Sequence, residues 1–186
     1  LADYMVEKRM PDDSLLTAMH TILSIEPDYT KARLQILRIM LQRNNMDQVA
    51  ATCREGELYD PAELTFYYYE GTALYRMGRD HEAIRQLQHG VERIDESTDR
   101  ELASDVYALM GDVMHGVGLK EDAYAAYDHA LAYNANNLLC LNNFAYFLSI
   151  DKRQLDKAER MSRRTVEAEG ENAVYLDTYA WILYLK

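Results

Sequence analysis

Two stretches of this 186-residue chain carry small and aromatic residues in one shared register. Tyr67, Gly71, Ala83, Leu87 and Gly90 follow one another at steps of 4, 12, 4 and 3, and Tyr107, Gly111, Ala123, Tyr127 and Ala130 do so again. Each series has a second glycine seven residues after its first, at Gly78 and Gly118. Steps of three and four keep residues on one side of a helix, so each series reads as two helical faces joined by a turn. A helix pair of this size cannot bury its apolar face alone, and the repeat therefore dictates stacking of like units.

The register extends both ways with weaker residues. Upstream, Arg33, Leu37, Val49, Cys53 and Gly56 keep the same steps, with Pro61 five further on; earlier, Leu15, Met19 and Ile22 are followed at the same distance by Pro27, so the prolines are 34 residues apart. Downstream, Leu141, Ala145, Ala158, Ser162 and Thr165 repeat the pattern with one residue inserted, and Leu176 and Ala180 begin a further unit. This pattern resembles the tetratricopeptide repeat (TPR), with an aromatic, a small residue, Tyr, Ala, a large apolar residue and Pro spread over one unit. The resemblance covers essentially the whole chain as a single array: a partial unit at 1–29, units at about 30–63, 64–103, 104–137 and 138–172, and a partial unit at 173–186. Three positions depart from the family pattern: extra residues near Ser97–Leu102, Arg33 in place of an aromatic, and Ser162 in place of a large apolar residue. The closing stretches Leu138–Ser149 and Tyr175–Leu183 look most like those of long bacterial TPR proteins.

The resemblance implies an all-α fold, a right-handed superhelical solenoid of antiparallel helix hairpins with about four full repeats and partial repeats at both ends. With only 8 Gly and 3 Pro, and no clear period-2 alternation, about ten helices and no strand are expected. Gly71, Gly111 and Ala145, together with Ala83, Ala123 and Ala158, allow close helix approach, while Tyr67, Tyr107, Leu87 and Tyr127 fill the space between. The stretch Met77-Gly78-Arg79-Asp80 supplies a C-terminal glycine and an Asp suited to cap the next helix, and Asn134–Asn137 breaks between units.

In such arrays the first helix of each unit lines the concave side. Residues one, five and eight positions beyond Tyr67 share a face distinct from the core. They are Tyr68, Thr72 and Tyr75, flanked by Tyr69 and Arg76; the matching sets are Ala108, Asp112 and His115, then Asn142, Tyr146 and Ser149 flanked by Asn143, then Asp177, Trp181 and Tyr184 flanked by Thr178, and earlier Leu34, Arg38 and Leu41. Tyr and Trp bury large area at little entropic cost, and Asn can pair with an extended peptide backbone. The expected ligand groove comprises Arg38, Tyr68, Tyr69, Thr72, Tyr75, Arg76, Asp112, His115, Asn142, Asn143, Tyr146, Asp177, Thr178 and Trp181. Tyr69 and Trp181 have a core-packing alternative. The Lys and Asn set with which some TPR domains grip a chaperone's C-terminal carboxylate is missing: the stretch offers Leu34, Arg38, Tyr69, Asp105 and Leu109, and Asp105 and Asp112 would repel a carboxylate.

A net charge of −11 argues against nucleic-acid binding. The basic run Lys152, Arg153, Lys157, Arg160, Arg163 and Arg164 is interleaved with acids and reads as a solvated helix face. None of the five histidines pairs at i, i+4, and Cys53 and Cys140 lack a Cys-x-x-Cys partner, so no metal site, cofactor or catalytic residue is expected. Cys53 reads as a buried thiol, and His115 with Asp112 is the one acid–imidazole pair. No membrane-spanning stretch or signal peptide is apparent, and the leading Leu1 suggests a fragment of a longer chain. Cytoplasm and bacterial periplasm or cell envelope both stay open. These features predict a non-catalytic scaffold that binds a peptide segment or partner helix in its groove. Alternatives are a glycan-binding module, or a self-assembling structural module whose uncapped C-terminal edge pairs with another molecule.

Overall fold

A computed structural model of the chain describes residues 11–186; residues 1–10 of the leading partial unit lie outside the described residues. The described residues form ten α-helices and no strand: α1 (Asp12–Ile25), α2 (Thr30–Gln42), α3 (Met46–Tyr59), α4 (Leu64–Arg76), α5 (Asp80–Val91), α6 (Arg100–Gly116), α7 (Lys120–Tyr133), α8 (Leu138–Ile150), α9 (Leu155–Ala168) and α10 (Ala173–Leu185). The chain divides into two compact units with the boundary between Asp95 and Glu96. In the first, α2–α3 and α4–α5 are hairpins and α1 packs on α2; in the second, α6–α7 and α8–α9 are hairpins and α10 packs on α8 and α9.

The small residues of the repeat sit where helices approach. A Cβ built on Gly71 would lie 2.7 Å from the Leu87 side chain, and one on Gly111 would lie 2.8 Å from the Tyr127 ring. These are the same two repeat positions in successive hairpins. Gly56 and Gly90 serve the contacts with Phe66 and Tyr67 in the same way. Ala83, Ala123, Ala145 and Ala158 are all fully buried. Around them the first unit builds a core from Leu37, Val49, Cys53 and Phe66. The second stacks Tyr127 on Phe144 at 4.9 Å between ring centres.

Turns explain the irregularities of the repeat. Gly78 and Gly118 close α4 and α6 with φ of 73° and 86°, a region open to glycine at no steric cost. Asn44 takes the corresponding place after α2, with φ of 55°. The residue inserted in the 138–172 stretch falls in the link between α8 and α9, where Lys152 and Gln154 both have positive φ. The extra residues near Ser97–Leu102 lie in the link between α5 and α6 and in the first turn of the longer α6. Asp80 does not cap α5 as expected. Arg79 is the N-cap residue, without a side-chain cap bond, and pairs with Glu82 at 2.6 Å, while Asp80 lies inside the first turn. There its charge faces the positive end of the helix dipole. Asn137 caps α8 by accepting from Cys140 N at 3.0 Å, and its amide donates to Ser104 and Asp105 of α6.

Of the departures from the repeat pattern, the one at Arg33 is compensated and the one at Ser162 is not. Arg33 is 4% exposed; its guanidinium lies 4.3 Å from the centre of the Tyr59 ring and donates to the Pro27 carbonyl. The long stem and flat head thus occupy an aromatic's place. Ser162 is fully buried, and its hydroxyl oxygen finds no hydrogen-bond partner among the described residues.

Candidate functional site

First helices of consecutive hairpins leave a cleft in each unit. In the first unit, Leu34, Leu37, Arg38 and Leu41 of α2 face Thr65 and Tyr69 of α4 across about 240 Å³. In the second, Tyr146 and Ile150 of α8 face Asp177, Thr178 and Trp181 of α10 across a cleft of the same volume. Helical periodicity produces both. Tyr146 and Ile150 are four residues apart on one face, as are Asp177 and Trp181, while Leu141, Ala145 and Leu148 of α8 turn the opposite way into the core.

The second-unit cleft therefore brings together four expected residues: Tyr146, Asp177, Thr178 and Trp181. The two rings are each 43% exposed, so Trp181 is not a core residue. Trp181 stacks on Tyr184 at 5.8 Å, and Tyr146 leans on Phe147 at 5.5 Å. Thr178 is buried at the cleft wall. The first-unit cleft brings Arg38 and Tyr69 together. Tyr69 is half-buried: it lines this cleft and also packs against the core around Phe66. Arg38 is exposed and donates from Nε to Gln35 at 3.1 Å.

Four expected residues of α4 occupy its neighbouring surface. Tyr68 packs edge-on to Tyr69 at 4.9 Å, Thr72 donates to the Tyr68 carbonyl at 2.8 Å, and Tyr75 and Arg76 are exposed.

Between α6, α7 and α8 the expected groove residues are instead engaged with one another. Asp112 accepts from the Tyr127 hydroxyl at 2.5 Å and from the Asn143 amide at 3.0 and 3.1 Å. Burial raises its carboxyl pKa against those hydrogen bonds. Asn142, placed on an open face by the register, is only 4% exposed, and its Oδ1 has no partner among the described residues. The cause is the close stacking of α8 on its neighbours, which buries the position that in α10 remains at a cleft wall.

His115 also departs from expectation, since its acid partner is Asp151 rather than Asp112. His115 Nε2 lies 2.9 Å from Asp151 Oδ2, and its ring stacks on Phe147 with centres 3.9 Å apart. Lys120 and the Tyr124 hydroxyl donate to the same carboxylate. Burial alone would push the Asp151 carboxyl up, but these donors outweigh it and hold the group well below the usual carboxylate range. Such a group is a structural anchor and a poor proton acceptor.

The remaining chemistry is equally structural. Both cysteines are buried; burial pushes the Cys140 thiol up to about 12 and raises Cys53 as well, which suppresses thiolate reactivity. Among the described residues no group of three or more His, Cys, Asp or Glu could hold a metal ion, and no helix is long and apolar enough to cross a membrane. Within the basic run, Lys157 pairs with Asp128 at 2.8 Å, Arg153 with Glu121 and Arg163 with Glu159. Arg164 donates to the Ala135 carbonyl and the Asn136 side chain.

Sequence reasoning missed Thr65 and Ile150 as cleft residues. Each lies four positions from an expected one, Tyr69 and Tyr146, and the same helical rule would have found them. Asp151 carried no local signal, since it meets His115 across 36 residues.

A scan against protein-family models gives no match, and a search of curated proteins gives none. Solved structures do resemble the chain over nearly all its length. MamA is 17% identical with a TM-score of 0.74, covering 93% of this chain and 96% of its own. PilF of Pseudomonas aeruginosa is 18% identical with a TM-score of 0.76, over 100% of this chain and 87% of its own. YrrB, described as a TPR protein with an unusual peptide-binding site, is 13% identical with a TM-score of 0.66, over 91% and 92%. The fold is thus an all-helical tetratricopeptide-repeat solenoid.

Proposed function

We propose, from this tetratricopeptide-repeat fold, that the chain is a non-catalytic protein-interaction scaffold that holds a peptide segment or partner helix against the first helices of its hairpins. One observation carries the reading: in each compact unit those helices part to leave a cleft walled by aromatic and aliphatic side chains, with a single charged residue at the wall. A cleft of this size accepts one or two side chains of a bound segment, and half-exposed Tyr and Trp are the residue types that concentrate binding energy. The peptide-binding site for which YrrB is described is consistent with the same use of the fold.

Trp181 is the chain's single tryptophan and stands in the α8–α10 cleft, so its emission reports occupancy there. A phage-displayed dodecapeptide library panned on the protein should yield peptides that shift Trp181 emission. Their binding should weaken at least about fivefold in Tyr146→Ala, as for interface truncations that cost about 1 kcal/mol or more. Peptides that bind a folded Tyr69→Ala/Tyr146→Ala double variant as tightly as the native chain would overturn the reading.

A further inference from the structure

We infer that the α8–α10 cleft selects a cationic side chain, lysine or arginine, from the bound segment. This rests on the peptide-holding role proposed above and names its chemistry. Of the residues lining the cleft, Tyr146, Ile150, Asp177, Thr178 and Trp181, only Asp177 carries charge at neutral pH. It is exposed, and among the described residues no cation pairs with it. The cations nearest in sequence are committed elsewhere: Lys186 pairs with Asp156 at 2.5 Å and Glu159 at 2.6 Å, Arg164 donates to the Ala135 carbonyl and the Asn136 side chain, and Arg163 pairs with Glu159. A carboxylate thus stands unneutralised beside two aromatic rings.

That combination matches one ligand chemistry. Tyr146 and Trp181 line the cleft, and the electron-rich faces of such rings attract a cation lying over them, while Asp177 supplies the opposite charge. The methylene stem of Lys or Arg would lie along Ile150 and the rings while its head reaches the carboxylate. An acidic side chain would meet Asp177 with like charge, and a neutral one would leave that carboxylate as it is in the free protein. The chain's net charge of −11 further raises the local concentration of basic segments. The first-unit cleft lacks this arrangement, since its charged wall residue is Arg38.

The test uses the full chain and four dodecapeptide pools, each fixed at one position as Lys, Arg, norleucine or Glu, with Trp181 emission as readout. Norleucine keeps the lysine stem without its charge. The Lys and Arg pools should bind about three- to thirtyfold more tightly than the norleucine pool, the range of one exposed cation–π contact and one exposed ion pair together. Asp177→Asn should shrink that preference, and added salt should shrink it in the native chain. Equal binding of the Lys and norleucine pools, or a Lys preference undiminished in Asp177→Asn, overturns the cation inference while the peptide-holding role stands. If no pool moves Trp181 emission, that role fails at this cleft and the inference with it.

Discussion

The Leu87 side chain occupies the space that a side chain on Gly71 would need, 2.7 Å from the place of its Cβ. Tyr127 stands in the same relation to Gly111, at 2.8 Å. Both glycines lie inside helices, where Ala is intrinsically better by about 1 kcal/mol. Overpacking costs about 1–3 kcal/mol and should win. Gly71→Ala and Gly111→Ala are expected to lower the urea midpoint, by a net loss of up to about 2 kcal/mol after the propensity gain is subtracted. Gly111→Ala should be the worse of the two, since Tyr127 is held by its bond to Asp112 and cannot swing aside. Gly116→Ala is the control. Nothing lies within 4 Å of its added Cβ, and that variant should be stabilised by about 0.4–1 kcal/mol.

Asp112 joins three helices by accepting from Tyr127 of α7 and Asn143 of α8. Asp112→Ala leaves both donors without their acceptor in a largely buried setting, at a cost of about 2–3 kcal/mol. Tyr127→Phe in the Asp112→Ala background should cost less than Tyr127→Phe alone, because the hydroxyl has already lost its partner. A double-mutant cycle in urea reads the coupling, and strict additivity would show that the bond contributes nothing.

The parts of the fold readable from sequence are those set by local spacing. Gly71 and Leu87, like Gly111 and Tyr127, announce themselves because every hairpin needs a small residue opposite a large one at fixed steps. The pairing of Tyr146 with Trp181 and Asp177 across one cleft was legible for the same reason, since their offset repeats that of neighbouring units. What local spacing cannot carry is the choice of polar partner across stacked helices. Asn137 reaches back to Ser104 and Asp105, and Asp151 to His115, over more than thirty residues. So Asp112 and Asn143, which look like free groove residues by register, are consumed by each other. Arg33 reads only as a departure from the pattern until the Tyr59 ring and the Pro27 carbonyl are seen around it.

Glu70 of α4 should make the first unit less stable as pH rises. Its side chain is nearly buried, and burial, with a hydrogen bond and charge from Glu57 adding to it, lifts the carboxyl pKa to about 8 against the opposing effect of Arg54 at 3.6 Å. A folded pKa raised above the unfolded one gives stability that is complete below the unfolded value, about 4.5, and is lost as pH climbs to about 8. The slope for this one group is at most ~1.4 kcal/mol per pH unit. Glu70→Gln should therefore melt near the native temperature at pH 5 and above it at pH 8. Parallel melting curves for the two proteins across that window would show that Glu70 ionises freely in the fold.

Asp151 should show the opposite sign. Lys120, Tyr124 and His115 all donate to a side chain that is 6% exposed, and they overcome the effect of burial to hold its pKa low. A depressed folded pKa gives stability that is present above the unfolded value, about 3.8, and is lost as pH falls below it toward the folded one. Asp151→Asn keeps the shape and removes the charge, so it should cost about 2–4 kcal/mol at pH 7, as for a buried charge network that loses one partner. The deficit should narrow as the native protein is titrated from pH 4 toward pH 2. Because Glu70 and Asp151 sit in different compact units, the second-unit fragment 96–186, if it folds alone, should keep the acid sensitivity of Asp151 and lack the alkaline loss due to Glu70. A fragment that folds and shows no narrowing between native and Asp151→Asn forms would mean that the three donors do not favour the ionised carboxylate.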